Sequence, residues 1–339
     1  MTMNSDDQNL DDGDWELLLE NINDKTCTPI VGSGAVRGGP PKGVEADKWT
    51  FEYPIGPTLA QEWATQFKYP LDDTTRIERV AQFMSVYYDP TWPKKQVAKR
   101  LAEAIPPDFT YENETHRVLA ELNLPVYVTS NFDDYLVRAL LNDGDKDAHV
   151  SICRWNKYIP PDAPAYAPAN RDLVPYAIAK KGENGALAYS TADASYKPTV
   201  ANPVVCHIHG HMAWPASVVV TEDDYFEFLL NWASAPSELV PPRILEALGA
   251  SSLLFLGYKL RDWDFRVLLR VLADILKTRQ NKHIAVQIPM SGAQAVDAMR
   301  AASVRRYLGS YFDTRGKIKV YVGTCQEFVA ELKLKRGRR

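Results

Sequence analysis

Apolar and polar positions follow two rhythms along this chain, and the changes of rhythm mark its elements. In "DWELLLENIND" (14–24) apolar residues recur three and four apart, which predicts a helix. "TCTPIVGSGAV" (26–36) is a short apolar run ending in a glycine turn, and "RGGPPKG" (37–43) is a loop. A helical pattern holds from about 58 to 101, clearest in "TLAQEWATQF" and "RIERVAQFMSVYY". A helix over 114–123, an apolar strand "PVYVTS" (125–130), a helix over 132–142 and a strand over 149–155 follow. Residues 156–202, rich in proline and alanine with little periodicity, read as an excursion that is partly loop. Next come a strand "PVVCHIHG", a short apolar "SVVVT" (217–221) and a helix over 222–233. "SSLLFLGY" (251–258) is an unbroken apolar run, the pattern of a strand buried on both faces of a parallel sheet. A helix over 262–278, strands at 283–289 and 318–323 and a closing helix "CQEFVAELKLK" complete the order.

Strands alternating with helices predict an α/β fold, a Rossmann-like, doubly wound and mainly parallel sheet. Ligands of such sheets sit beyond the carboxyl ends of the strands. Three unusual stretches fall there: "GSGAV", "TSNFD" and "HGHM".

Composition narrows the field only slightly. The 339 residues, 45% hydrophobic and 24% charged, suit a soluble protein with a sizeable core. A net charge of -4 offers no general attraction to nucleic acid or an anionic membrane. The acidic start "MTMNSDDQNLDDGD" is unlike a signal peptide, and no run approaches a membrane span. Four scattered cysteines, Cys27, Cys153, Cys206 and Cys325, show no zinc-ribbon spacing and predict reduced thiols in a cytoplasmic protein. The basic tail "KLKRGRR" reads as a short solvated terminus rather than a nucleic-acid arm.

Each candidate motif has a plain structural alternative. Gly32 and Gly34 of "VGSGAV" could bring backbone N–H groups to a pyrophosphate, or simply make a turn; Arg37 stands where a full dinucleotide fingerprint has its third glycine. Thr129, Asn131 and Asp133 could present a hydroxyl, an amide and a carboxylate to one cleft, while Ser130, Asn131 or Asp133 could instead cap the next helix. His207, His209 and His211 alternate, so an extended strand would turn all three to one face, as a zinc site requires. Gly210 interrupts that strand, however, and no further ligand cluster is evident. Gly257 marks a close backbone approach to a ligand or a neighbouring segment; Asp262 could be an N-cap and Arg261 a solvated loop charge.

Taken in order, these stretches resemble the sirtuin-like family, and more narrowly the bacterial sirtuin-like NADases of antiphage defence. "VGSGAV" is similar to the family's Gly-Ala-Gly loop, "TSNFD" to its Thr-x-Asn-x-Asp motif and "HIHG" to its catalytic His-Gly. "LLFLGYKLRDWDFRVLL" resembles the Leu-Phe-x-Gly-Tyr-x-x-x-Asp segment of the bacterial branch, and "VVVTEDDYFEFL" the stretch after the histidine. The resemblance implies one sirtuin-like domain over 1–339, with a helical subdomain at about 44–110 over the NAD cleft and the loop excursion at 156–202. It gives catalytic roles to Asn131, His209 and Asp133, and none to His207 or His211. It implies NAD+ contacts for Gly32, Ser33, Gly34, Ala35, Thr129, Ser130, Gly257, Tyr258 and Asp262. Deacetylating sirtuins carry a four-cysteine zinc module that this chain cannot build, so no metal is expected.

The implied activity is NAD+ hydrolysis to nicotinamide and ADP-ribose, serving antiphage defence (abortive infection) by NAD+ depletion. An NAD-dependent protein deacylase and a non-catalytic NAD or ADP-ribose sensor are the competing readings. The resemblance further implies that this chain forms a homo-oligomer and is controlled by self-assembly or by a separately encoded partner, such as the HerA-like ATPase or short Argonaute-type protein of related systems.

Overall fold

The computed structural model describes residues 10–36, 53–142, 144–168, 174–259, 283–287 and 318–337, with isolated positions between 265 and 311. Its centre is a nine-stranded sheet in the order β5-β4-β3-β6-β2-β1-β7-β8-β9. The strands are β1 (Cys27–Val31), β2 (Val126–Thr129), β3 (His149–Ile152), β4 (Ala177–Lys181), β5 (Leu187–Thr191), β6 (Val204–His207), β7 (Ser252–Tyr258), β8 (His283–Gln287) and β9 (Ile318–Val322). Every pairing from β3 to β9 across the sheet is parallel; only β3–β4 and β4–β5 are antiparallel. This is the doubly wound α/β fold that the hydrophobic runs predict. Strand β1 is the switch point, with β2, β6 and β3 on one side and β7, β8 and β9 on the other. Pro29 lies within β1, and the ladder to β2 begins only after it, at Ile30, consistent with a residue that has no N–H to give.

The sheet core packs beneath α1 (Asp12–Asn23), α5 (Thr115–Ala120), α6 (Tyr135–Asn142) and α7 (Glu222–Ser234). A second core forms where α2 (Pro57–Gln66), α3 (Ile77–Tyr87) and α4 (Trp92–Glu103) pack together. Leu59, Trp63, Val80, Met84 and Val97 bury there against Phe132, Val218 and Val220, which belong to the loops beyond β2 and β6. The helical stretch read from 58 to 101 is therefore three helices, closed onto the edge of the sheet. The beginning of the implied subdomain, 44–52, lies outside the described residues.

Several boundaries differ from the sequence reading, each for a local reason. The helix read from 132 begins at Tyr135, because Asp133 accepts the Tyr135 amide at 2.9 Å and holds the preceding turn. The strand read as 149–155 ends at Ile152. The excursion at 156–202 carries the β4–β5 hairpin, whose small alternating residues give a weak periodic signal; 169–173 lie outside the described residues. Two short helices, α8 (Pro236–Leu239) and α9 (Pro242–Ala250), begin with prolines in their first turns, where the missing N–H costs no helical bond. Residues 333–337 of the basic tail are the end of α10 (Cys325–Gly337), where Lys333 pairs with Glu112 and Lys335 with Asp12 at the surface. Most of the helix read over 262–278 lies outside the described residues. Among the described residues, no helix is long and apolar enough to cross a membrane.

One buried ion pair ties the helical layer to the sheet. Lys94 Nζ donates to Asp224 Oδ1 at 2.6 Å, with the two side chains 8% and 11% exposed. The ammonium also lies 4.7 Å from the centre of the Trp155 ring. Asp224 Oδ2 accepts the amides of Val220 and Thr221, closing the capping box of α7. Removing the cation would leave a buried carboxylate short of its counter-charge, a change that costs roughly 3–5 kcal/mol. Lys94→Ala should therefore lower the melting temperature by several degrees, whereas Leu230→Ala, on the exposed face of α7, should not. Equal melting of the two variants would remove this pair from the account.

Candidate functional site

Four segments leave the sheet at the carboxyl ends of neighbouring parallel strands. After β1 the chain turns through one 3-10 turn, Ser33–Val36. The Gly32 amide donates to Leu256 O at 2.8 Å and the Ala35 amide to Gly32 O at 3.0 Å. The amides of Ser33 and Gly34 donate to no carbonyl among the described residues, and Ser33 is exposed. Two adjacent uncommitted N–H groups at the start of a helical turn are suited to an anion.

Gly257 decides how this turn is held. Its φ is +81°, and a Cβ there would lie 2.2 Å from Ala35 N and 2.4 Å from Gly32 O. The close approach is thus to a neighbouring segment of the chain. Tyr258 follows, its ring against Gly32 and its hydroxyl 2.9 Å from Ser130 Oγ. Glycine turn, Ser130 and Tyr258 therefore form one contiguous wall. Asp262, grouped with them by sequence, lies outside the described residues.

Asn131 occupies the centre. Thr129 Oγ1 donates to Val31 O at 2.9 Å and accepts the Asn131 amide at 3.0 Å. His207 Nδ1 lies 3.0 Å from Asn131 O. Both backbone groups of Asn131 are thus engaged, while its side-chain amide has no hydrogen-bond partner among the described residues, although the residue is 4% exposed. Asn131 caps nothing; Asp133 does that work.

The histidines do not share a face. β6 ends at His207, residues 208 and 209 turn, and Gly210 has a φ of +90°. A Cβ at Gly210 would lie 2.1 Å from Ser217 O. The turn brings His211 back against His207, rings edge to face with centroids 4.5 Å apart. His209 is sent the other way, against Phe228 and Tyr225 of α7 at 4.9 and 5.6 Å. Alternation fails here because it belongs to extended backbone, and the backbone is extended only as far as His207. Among the described residues, no group of three or more His, Cys, Asp or Glu side chains could hold a metal. Burial lowers the pKa of His209 to about 4 and of His211 to about 3, and burial followed by the neighbouring His211 holds His207 well below its ordinary value. All three are neutral at pH 7.

Asp133 is enclosed by residues that sequence reasoning missed. Its Oδ2 is buried without a well-aligned hydrogen bond, and the Tyr53 hydroxyl and His116 lie close enough to act on its charge. Burial raises the Asp133 pKa, and His116, the Tyr135 amide and the Tyr53 hydroxyl offset only part of the effect. His116 Nδ1 lies 2.7 Å from Glu114 Oε1, both side chains fully enclosed. Burial works against the His116 charge, but Glu114 and Asp133 together outweigh it and raise its pKa. The signal available in the sequence was the Glu-x-His spacing of 114 and 116, and Glu114 is also the N-cap of α5. Among the described residues, buried side-chain atoms without a hydrogen bond include Asp133 Oδ2, His207 Nε2, His209 Nε2 and the Tyr135 hydroxyl. Such atoms are costly, and those that follow β2 and β6 make this end of the sheet the candidate site.

Residues 125–307, more than half of the chain, match the SIR2-like domain family. The chain belongs to that family. NAD+ is the substrate of SIR2-like domains. The matched segment holds Thr129, Ser130, Asn131, Asp133, His209, Gly257, Tyr258 and Asp262. The Gly32–Ala35 turn precedes it and reaches the same edge through Tyr258 and Gly257. A solved structure described as "Structural Basis for the Mechanism and Regulation of Sir2 Enzymes" is similar over 97% of this chain and 99% of its own, at 13% identity and a TM-score of 0.36. No curated protein matches the chain.

The buried histidines set a pH dependence of stability. A histidine whose folded pKa is depressed contributes stability that is complete above its unfolded pKa and is lost as pH falls towards the folded value. For His209 that window runs from 6.5 down to about 4. The melting temperature should fall as pH is lowered across it, and His209→Phe should flatten the fall. Parallel curves for the two proteins would show that His209 is not buried in neutral form.

Proposed function

We propose that this SIR2-like chain hydrolyses NAD+ at the nicotinamide–ribose bond, releasing nicotinamide, ADP-ribose and a proton for each water consumed. The observation that carries this reading is the placement of an uncommitted Asn131 amide and an unpaired His209 Nε2 just past the ends of two adjacent strands, β2 and β6, with the free amides of Ser33 and Gly34 past the end of the next strand, β1. Thr129 and His207 are register partners, so Asn131 and His209 each stand two residues past the paired strand ends.

Cleavage of a glycosidic C–N bond passes through an oxocarbenium-like state, and the protein must orient the leaving group, tolerate positive charge and admit water. Ser33 and Gly34 would receive the pyrophosphate with Gly32 and Ala35 shaping the turn; Ser130, Tyr258 and Gly257 would wall the adenosine side. Asn131 would orient the ribose or the attacking water. Asp133 Oδ2 would accept from the nicotinamide carboxamide N–H. His209, neutral at pH 7, would take a proton from water or bind the ribose hydroxyls.

Hydrolysis is favoured over protein deacylation by the cysteines. Cys27, Cys153, Cys206 and Cys325 are buried on β1, after β3, on β6 and at the start of α10, and so cannot gather into the four-cysteine module of the deacetylating sirtuins. A role in antiphage defence by NAD+ depletion, with control by self-assembly or by a separately encoded partner, extends this reading from the resemblance of the motif set.

The test is NAD+ turnover by the purified protein and in cells expressing it, with products separated by chromatography. Nicotinamide and ADP-ribose should appear in equal amounts without an acyl substrate. Asn131→Ala and His209→Ala should each lose about 100-fold or more in turnover while still folded, and His211→Ala should lose less. Acetylated ADP-ribose as product would favour the deacylase, and NAD+ bound but never cleaved would favour a sensor; either result overturns the proposal.

A further inference from the structure

His207 is given no role by the family resemblance, yet its ring nitrogen lies within hydrogen-bond distance of the Asn131 carbonyl. The contact is one link in a chain of hydrogen bonds across three central strands. Val31 O, at the end of β1, accepts from Thr129 Oγ1 of β2; that hydroxyl accepts the Asn131 amide; and the Asn131 carbonyl faces His207 Nδ1 of β6. A carbonyl oxygen can only accept, so Nδ1 must carry the proton. The neighbouring ring is fixed in the opposite tautomer. His211 Nδ1 accepts the Ala213 amide at 3.0 Å, leaving Nε2–H to face the Tyr189 hydroxyl at 3.3 Å.

Resting on the NAD+ reading above, we propose that His207 is a positioning residue for the reaction. Its Nδ1–H clamps the Asn131 carbonyl as Thr129 clamps the Asn131 amide, so that the free Asn131 side chain is held in one place before substrate arrives. Two side chains replace the sheet ladder at the position where the strand has ended. Neutrality is part of the design, since a second proton on a ring 1% exposed would need a partner that Nε2 lacks. His207 touches no reacting atom itself; it acts through Asn131.

Geometry supplies the control. Asparagine can place its side-chain N–H where the histidine Nδ1–H stands, one atom beyond Cγ, whereas glutamine places its N–H one atom farther out and leucine has none. Turnover and melting should be measured together on His207→Asn, His207→Gln and His207→Leu. His207→Asn should stay close to the wild-type kcat. His207→Gln and His207→Leu should lose about 10- to 100-fold in kcat, the scale of an ångström of misplacement, with KM for NAD+ changed much less. Loss of kcat that follows the loss of melting temperature in all three, with no advantage for asparagine, overturns the proposal.

A second readout needs no turnover. In nitrogen-15 spectra of histidine-labelled wild-type protein, His207 should show the neutral Nδ1–H tautomer. An Nε2–H or doubly protonated ring overturns the clamp. If wild-type protein leaves NAD+ intact while the Nδ1–H tautomer is present, the hydrolase reading fails and the clamp on Asn131 stands.

Discussion

Close backbone contact at two glycines is the constraint on which this site depends. At Gly257 the end of β7 presses against the turn that follows β1, and at Gly210 the segment after β6 presses against residues 217 and 218. Both glycines sit at positive φ, where a Cβ is strained even without a neighbour. Here the neighbours are backbone atoms that cannot swing aside. The first contact brings Tyr258 onto Gly32 and to Ser130. The second separates His209 from His207 and turns it towards α7. Ordinary parallel strands end in a ragged edge; these contacts make the edge a wall.

The wall holds polar groups that cost stability, and the rest of the fold offsets them. Each buried polar atom without a partner costs about 1–3 kcal/mol, and two, Asp133 Oδ2 and the Tyr135 hydroxyl, lie within four residues of Asn131. Phe132, between Asn131 and Asp133, inserts into the second core with Trp63 and Met84. Val218 and Val220, which follow the histidine turn, enter the same core. The loops that carry Asn131 and His209 are therefore anchored by apolar residues alternating with the polar ones. Lys94 and Asp224 close the same interface with charge. Stability and site geometry draw on one set of contacts.

Much of this was legible in the chain because the signals are local. Unbroken apolar runs gave away the central parallel strands, and "TSNFD" and "HIHG" stand at strand ends because turns need polar and glycine residues there. What stayed hidden depends on partners far along the chain. Alternation suggested one face for three histidines, but where β6 stops is decided by its neighbours and by Gly210 meeting Ser217. His116 and Tyr53 reach Asp133 from elements 17 and 80 residues earlier, a proximity no window of sequence can display. The β4–β5 hairpin carries too few apolar residues to announce itself, and it is pinned by Arg138, which pairs with Asp134 and donates to Gly185 O at 2.8 Å. Asp262 was singled out from sequence and lies outside the described residues.

The central claim is that one edge of the sheet, between the turn after β1 and the ends of β2 and β6, is a single NAD+ pocket. The most direct measurement is a crystal structure of His209→Ala soaked with NAD+, so that substrate survives. The account predicts the pyrophosphate on the amides of Ser33 and Gly34, with the nicotinamide ribose beside Asn131. NAD+ bound elsewhere, with the 33–36 turn and Asn131 untouched, would contradict it.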